Sequence, residues 1–280
     1  MTGAVAARVE RYILDGSDAD LRRLLAIAQI SEDAARTTLT RVGVQEGWRA
    51  LDCGCGPIGA LPVIADMVGP TGQVLGVDFV EPTVERARSV IAELGLNNVE
   101  VRVGDVNAPD FPSIVGAPAD LAFTRCFLMH QVDLTDTITR ITQVVRCGGW
   151  IVAHEPMRTP APRSHPELDA LATYWELIHR LIESTGTRPR TVDDLPAAAL
   201  AAGLELVRVG GFFLPCEPAR GFELHAATAA AVKDRAVNAG IATETEIDRL
   251  VGDLRAAIHG DYRWVSTPFY VELAARKQLG

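Results

Sequence analysis

The stretch that decides the fold is WRALDCGCGPIG, residues 48–59. Its first half is short and apolar, like a buried strand. Asp52 follows, then glycines at 54, 56 and 59, then an apolar helical run through Val68. A strand, a glycine-rich turn and a helix start bring backbone N–H groups to a place where a ligand can approach closely. Such turns also occur as plain tight turns, so the remainder of the chain must distinguish the two.

Downstream, strands and helices alternate. Residues 73–78 (QVLGVD) read as a strand, and 81–94 as a helix with Pro82 in its first turn and Gly95 at its end. A strand over 99–103 is stopped by Gly104 and Asp105. Further strands are expected over 119–124 and, after Gly148 and Gly149, over 150–153, with a helix over 134–145 between them. This alternation implies βαβ units, a parallel sheet and helices on both faces. Ligands bind outside the carboxyl ends of such strands. Gly54, Asp78, Asp105, Arg125 and Glu155 all fall there, which is the pattern of a binding crevice.

Upstream, helical spacing covers residues 4–14, 18–30 and 31–42, the last capped by Ser31 and Gly43. After Glu155 the alternation breaks. A proline-rich stretch over 156–166 leads to a helix over 168–183 carrying Tyr174 and Trp175. A helix from Thr191 to Gly203, a strand over 204–209, helices over 219–239 and 243–258 and a last strand over 267–275 follow. The expected organisation is a helical leader or lid (1–43), a ligand-binding core (44–156), a cap insertion (157–190), a core continuation (191–218), a second helical cap insertion (219–262) and a last core strand (263–280).

Composition narrows the partners. The 280 residues carry a formal net charge of −9, which argues against a surface built for duplex nucleic acid. No apolar run approaches the ~20 residues of a membrane span, and residues 1–10 lack the apolar core of a signal peptide. The five cysteines are scattered and odd in number, as expected of a reducing, cytoplasmic compartment. Cys53 and Cys55 have no second Cys/His pair at zinc-like spacing, so no metal site is expected.

The acids at the strand ends carry the chemistry. A carboxylate at Asp78 can accept hydrogen bonds from both hydroxyls of a ribose, and Asp105 can bond an adenine amino group. The alternative for Asp78 is a surface acid at a strand end, and Asp105 on its own reads better as a simple turn residue or helix N-cap. Together, D-x-G-x-G, V-D, G-D and a Cys-Gly-Gly turn before the fifth strand resemble the class I S-adenosylmethionine-dependent methyltransferases, in their small-molecule, UbiE-like branch. ALDCGCGPIG (50–59) resembles the glycine-rich first motif, GVD (76–78) the ribose acid and GDV (104–106) the adenine motif. RCGGWIVAHEP (146–156) resembles the turn and fifth strand, and RYILDGSDADLRRLLAIAQ (11–29) the leader.

The resemblance implies a doubly wound, Rossmann-like α/β fold with a seven-stranded, mostly parallel sheet and a helical cap. It implies S-adenosyl-L-methionine as cofactor and S-adenosyl-L-homocysteine as product. Asp52, Gly54, Cys55 and Gly56 would face the methionine and ribose. Asp78 and Phe79 would follow the ribose, Gly104, Asp105 and Val106 the adenine, Arg125 the methionine part, and Tyr12 would form a lid. Pro57 and Ile58 stand where a glycine is often seen, and Cys147 replaces the usual proline. Both departures bear on contact details.

Proton chemistry is expected from His130, after the fourth strand, or Glu155, at the end of the fifth. Their alternatives are a helix-face histidine and a structural hydrogen bond. His154 alternates with Glu155 and should point the other way. Tyr174, Trp175, Phe213, Tyr262 and Trp264 are candidates for the wall of an apolar pocket. The expected activity is methylation of a small aromatic or apolar metabolite in secondary-metabolite tailoring, with neither nucleic acid nor membrane as partner and a homodimer left open. The alternatives are a non-methylating cyclase or isomerase that binds the same cofactor, or an NAD-dependent oxidoreductase. The acceptor atom stays open.

Overall fold

The computed structural model describes residues 18–186 and 193–279. Among the described residues the first elements are α1 (Asp18–Ile30) and α2 (Glu32–Val42), the latter ended by Gly43 in the left-handed region at φ 76°. The core then runs β1 (Arg49–Cys53), α3 (Leu61–Val68), β2 (Gln73–Asp78), α4 (Glu81–Leu94), β3 (Val99–Val103), α5 (Phe111–Val115), β4 (Ala119–Arg125), α6 (Leu134–Val144) and β5 (Val145–Pro156). A short β6 (Ser164–His165) and α7 (Asp169–Ser184) lead to α8 (Leu195–Ala201) and β7 (Leu204–Phe212). β8 (Pro215–Cys216), α9 (Pro218–Ala231), α10 (Lys233–Asn238), α11 (Glu244–Ala257), β9 (Trp264–Ser266) and β10 (Tyr270–Lys277) complete the order.

Seven strands form one sheet in the order β3-β2-β1-β4-β5-β10-β7. The first five are parallel, and β10 runs antiparallel between β5 and β7. The chain returns on the far side of β1 after β3. This places the topological switch point between β1 and β4, where ligands bind in open α/β sheets. Strands buried on both faces read as nearly continuous apolar runs; residues 50–53 of β1 are all buried.

Two apolar layers cover the sheet. Leu39, Leu61, Ile64, Val84 and Ile91, from α2, α3 and α4, pack on one face. On the other face Phe111, Ile138, Ile141 and Leu195 join a layer that continues into the cap through Trp175, Ile178, Phe222 and Leu254. The cap is thus packed continuously with the core and closes over the carboxyl edge of the sheet.

Several boundaries differ from expectation. The helix expected over 219–239 divides into α9 and α10 at Val232, whose ψ is 0°. Residues 264–266 pair antiparallel with 164–165 and 215–216 in a second, three-stranded sheet, and Pro268 stands between them and β10. β5 begins at Val145 and takes in the Cys147-Gly148-Gly149 turn. The expected helix over 4–14, Tyr12 and Thr191 lie outside the described residues.

Candidate active site

The loop after β1 turns so that Asp52, Gly54, Gly56 and Gly59 line one cavity of about 460 Å³, within the usual range for small-ligand sites. Its hydrogen bonds are specific. The Gly54 and Cys55 N–H groups both donate to the Val77 carbonyl, at 2.8 and 3.2 Å. The Gly56 N–H donates to Asp78 Oδ2 at 3.0 Å, and the Ala60 N–H to Asp52 Oδ2 at 2.8 Å. The expectation that this turn offers its N–H groups to a ligand is corrected at 54, 55 and 56: they are already bonded to β2.

The late glycine of the loop has a geometric reason. A Cβ at Gly59 would lie 2.4 Å from Asp52 Oδ2, and its φ is +49°. Gly59 therefore makes room for the buried carboxylate, while Pro57 and Ile58 fill the buried bend before it. The Gly59 carbonyl in turn accepts from Arg125 Nη2 at 2.5 Å. Arg125 Nη1 is buried and has no partner among the described residues.

The other expected positions fall on the same cavity: Asp78, Phe79, Gly104, Asp105, Val106 and Arg125 all line it. Cys55 contributes through its backbone. Its Sγ points at β2, 2.8 Å from where a Cβ on Gly76 would sit, and burial pushes the thiol well above its ordinary range. Asp78 Oδ1 also accepts the Val80 N–H at 3.0 Å, and Asp105 Oδ1 the Asn107 N–H at 2.9 Å. Burial raises Asp52 to about 7, against the pull of the Ala60 N–H and the Arg125 charge, and raises Asp78 as well. Desolvated acids in one wall favour a cationic ligand. Among the described residues no three His, Cys, Asp or Glu side chains come together as metal ligands.

Beyond the strand ends the cavity is apolar, walled by Leu21, Leu24, Ile27, Tyr174, Trp175 and Ile178. Tyr174 and Trp175 thus stand where the sequence suggested. Phe213 instead packs on Phe269, Tyr262 on Phe222 and Trp264 on His165. His130 lines the cavity; burial and the Arg23 charge push it down to about 4.

Glu155 is placed differently. It is fully buried and is not in the cavity wall. Oε1 accepts the Phe127 N–H at 3.2 Å and the Thr124 hydroxyl at 3.3 Å, and Oε2 accepts the Met129 N–H at 3.2 Å. Its expected role as a base in the crevice is corrected: the carboxylate is used to hold the loop after β4. His154 does point to the other face, where its Nε2 meets Thr38 Oγ1 at 2.9 Å.

Two wall residues escaped the sequence reading. Asp20 and Arg23, on one side of α1, form an ion pair inside the cavity wall, with Arg23 Nε and Nη2 donating to Asp20 Oδ1 at 2.8 and 2.6 Å. Opposite charges three apart on a helix were the available signal. His225, from α9, also lines the cavity, its Nε2 bonded to the Ser266 carbonyl at 2.9 Å.

An acid-lined crevice at the switch point of a doubly wound sheet, roofed by helices, defines a Rossmann-like protein for a small ligand. A family model described as a methyltransferase domain matches residues 45–188, and the chain belongs to this methyltransferase-domain family. Nocamycin O-methyltransferase from Saccharothrix syringae is 30% identical over 235 residues, 80% of this chain and 79% of that protein. Aklanonic acid methyltransferase DauC from Streptomyces sp. (strain C5) is 32% identical over 111 residues, 40% of this chain and 49% of its own. The chain likewise spans about half the length of several other curated relatives that it matches. Geranyl diphosphate C-methyltransferase from Streptomyces coelicolor A3(2), solved with geranyl diphosphate, Mg2+ and S-adenosyl-L-homocysteine, shares the fold. Its TM-score is 0.54 at 17% identity, covering 88% of this chain and 78% of that one. No helix among the described residues is long and apolar enough to cross a membrane.

Proposed function

We propose that this protein transfers the methyl group of S-adenosyl-L-methionine to a small, largely apolar or aromatic metabolite, as in secondary-metabolite tailoring, and releases S-adenosyl-L-homocysteine. The observation that carries this reading is a single cavity with two unlike halves: desolvated acids at the strand ends and an apolar enclosure under the cap. The acids suit a ligand with a sulfonium and an ammonium group. The bonded N–H groups of residues 54–56 leave no cradle there for a pyrophosphate, which weighs against a dinucleotide.

The orphaned Arg125 Nη1 is a fit test for the cofactor. A buried guanidinium donor without a partner is costly, and the methionine carboxylate supplies the missing acceptor. Asp78 takes the ribose hydroxyls, because its carboxylate keeps acceptor capacity beyond the backbone N–H groups it already accepts. Asp105, between Gly104 and Val106, takes the adenine amino group, and Phe79 flanks the ring. When bound, the cofactor supplies a methyl group on a positively charged sulfur. The chain orients the acceptor against that methyl and excludes water; Leu21, Leu24, Ile27, Trp175 and Ile178 do so here. The free cysteines support a reducing, cytoplasmic setting.

The test is incubation with methyl-labelled S-adenosyl-L-methionine and fractionated bacterial metabolite extracts. Label is expected in an organic-soluble product that depends on the protein. Cofactor binding without any transfer, across extracts that serve a related methyltransferase, would favour a non-methylating user of the fold.

A further inference from the structure

The ion pair of Asp20 and Arg23 is unusual in its setting. Both residues are nearly inaccessible, at 1% and 5% exposure, on a helix whose neighbouring residues Leu21, Leu24 and Ile27 are part of the apolar wall. A buried ion pair seldom stabilises more than apolar groups of similar size would. Stability alone is therefore a weak reason for its presence.

The bonding is also lopsided. Both guanidinium contacts to the acid, from Nε and Nη2, go to one oxygen, Asp20 Oδ1, so the pair lacks the two-oxygen fork that arginine and carboxylate form at best. Nη1 donates to no described residue, and a guanidinium carries five N–H bonds. Arg23 lines the cavity, and its charge reaches Cys126 and His130 in the loop after β4 and Tyr174 on α7. It therefore stands between the loop at the cofactor end and the roof of the apolar half.

We propose that Arg23 is the docking group for an ionised oxygen of the methyl acceptor, a carboxylate or an acidic enol, so that the enzyme methylates oxygen acids. This deepens the proposed function and rests on it. Arg23 presents Nη1 to the oxygen acid while Asp20 keeps the guanidinium in place, and an ammonium acceptor is turned away by the same charge. A lone pair of the ionised oxygen forms the new O–C bond as the methyl C–S bond breaks, its pair staying on sulfur. The negative charge of the acceptor and the positive charge of the sulfonium cancel, and no proton leaves. The other groups around the acceptor agree with this. Burial holds His130 and His225 at about 4 and lifts Cys126 to about 11 and Tyr174 to about 12, so none is poised as a base near neutrality, and Glu155 is tied to the loop.

The experiment is calorimetry on the full chain saturated with S-adenosyl-L-homocysteine, using 2-naphthoate, 2-naphthamide and 2-naphthylmethylamine as probes. Saturation by S-adenosyl-L-homocysteine is itself the check on the proposed function and is read first. The naphthoate is expected to bind at least tenfold tighter than the amide, with the amine weakest. Arg23→Gln is expected to remove that preference, Arg23→Lys to restore part of it, and both to keep the homocysteine affinity within threefold. Equal or weaker binding of the naphthoate, including no binding of any probe, overturns the proposal without touching the cofactor assignment. The wild-type comparison needs no variant. Should Arg23→Gln fail to fold, the double variant Asp20→Asn/Arg23→Gln removes both charges together, and a retained preference for naphthoate in it also overturns the proposal. An enol probe, 2-acetyl-1,3-cyclohexanedione, separates the two sources of ionised oxygen.

Discussion

Glu155 and Met129 are joined by a 3.2 Å hydrogen bond in which the carboxylate Oε2 accepts the Met129 backbone N–H. With Phe127 on the other oxygen, this one side chain fixes the loop that forms a wall of the cavity. Glu155→Gln turns one acceptor into an N–H2 donor facing a backbone N–H. It is expected to cost about 1–3 kcal/mol of stability, measured by urea unfolding, while turnover per folded molecule falls less than tenfold. A thousandfold loss of turnover at unchanged stability would return the role of base to Glu155.

The same carboxyl makes stability depend on pH. Burial lifts Glu155 from 4.5 to about 7. Between those values the folded chain holds a proton that the unfolded chain has released, so stability falls as pH rises. The favourable contribution is complete below about pH 4.5 and is lost as pH passes 7. The stability of the native chain minus that of Glu155→Gln should therefore decline across this window and flatten above it. Asp52, also raised to about 7, is common to both chains and cancels. A difference that grows with pH would show the carboxylate held in its ionised form.

Asp78 links β2 to the glycine loop through the Gly56 N–H and is assigned the ribose hydroxyls. Asp78→Ala should weaken S-adenosyl-L-homocysteine by about 1–3 kcal/mol, roughly tenfold to hundredfold in Kd. Titration calorimetry reads this directly, and an unchanged Kd would remove the ribose role.

Gly54 sits under the Phe127 ring. A Cβ there would lie 2.2 Å from Phe127 Cδ2, at a backbone φ of +69°. Gly54→Ala should cost about 2–4 kcal/mol, combining overpacking with left-handed strain. Adding Phe127→Ala relieves the overpacking, so the double variant should be less destabilised than the sum of the two single ones. Simple additivity in thermal unfolding would contradict the contact.

Thr38 anchors the leader to the far face of the sheet. Its hydroxyl donates to Glu272 Oε2 at 2.5 Å, which leaves its lone pairs to accept from His154 Nε2 at 2.9 Å. Thr38→Val keeps the shape, leaves His154 Nε2 without its hydroxyl partner and takes one hydrogen bond from Glu272, which Arg208 still holds through Oε1, an expected loss of about 1–3 kcal/mol. Cofactor affinity should stay within twofold, since the network lies across the sheet from the cavity. A stability unchanged by the substitution would show that His154 finds another partner.

The parallel strands were readable because burial on both faces makes them apolar runs, and glycine or aspartate ends them where the crevice begins. Asp78 and Asp105 were readable for the same reason. The short strand over Trp264–Ser266 was not, since its partners at Ser164 and Cys216 are chosen by tertiary packing. Alternation correctly set His154 and Glu155 on opposite faces. It carried no information that the loop after β4 would turn its own N–H groups onto Glu155, a turn that puts Cys126 at φ 53°. Nothing in the sequence singled out Asp20 and Arg23, because the roof that buries them comes from α7 and α9, about 150 to 200 residues further on.

The most direct measurement is titration calorimetry of the full chain with S-adenosyl-L-methionine, S-adenosyl-L-homocysteine and NAD. The expected result is saturable one-to-one binding of the first two, lost or much weakened in Asp78→Ala, and none of NAD. Well-folded protein that binds neither S-adenosyl compound, or that binds NAD in their place, contradicts the account.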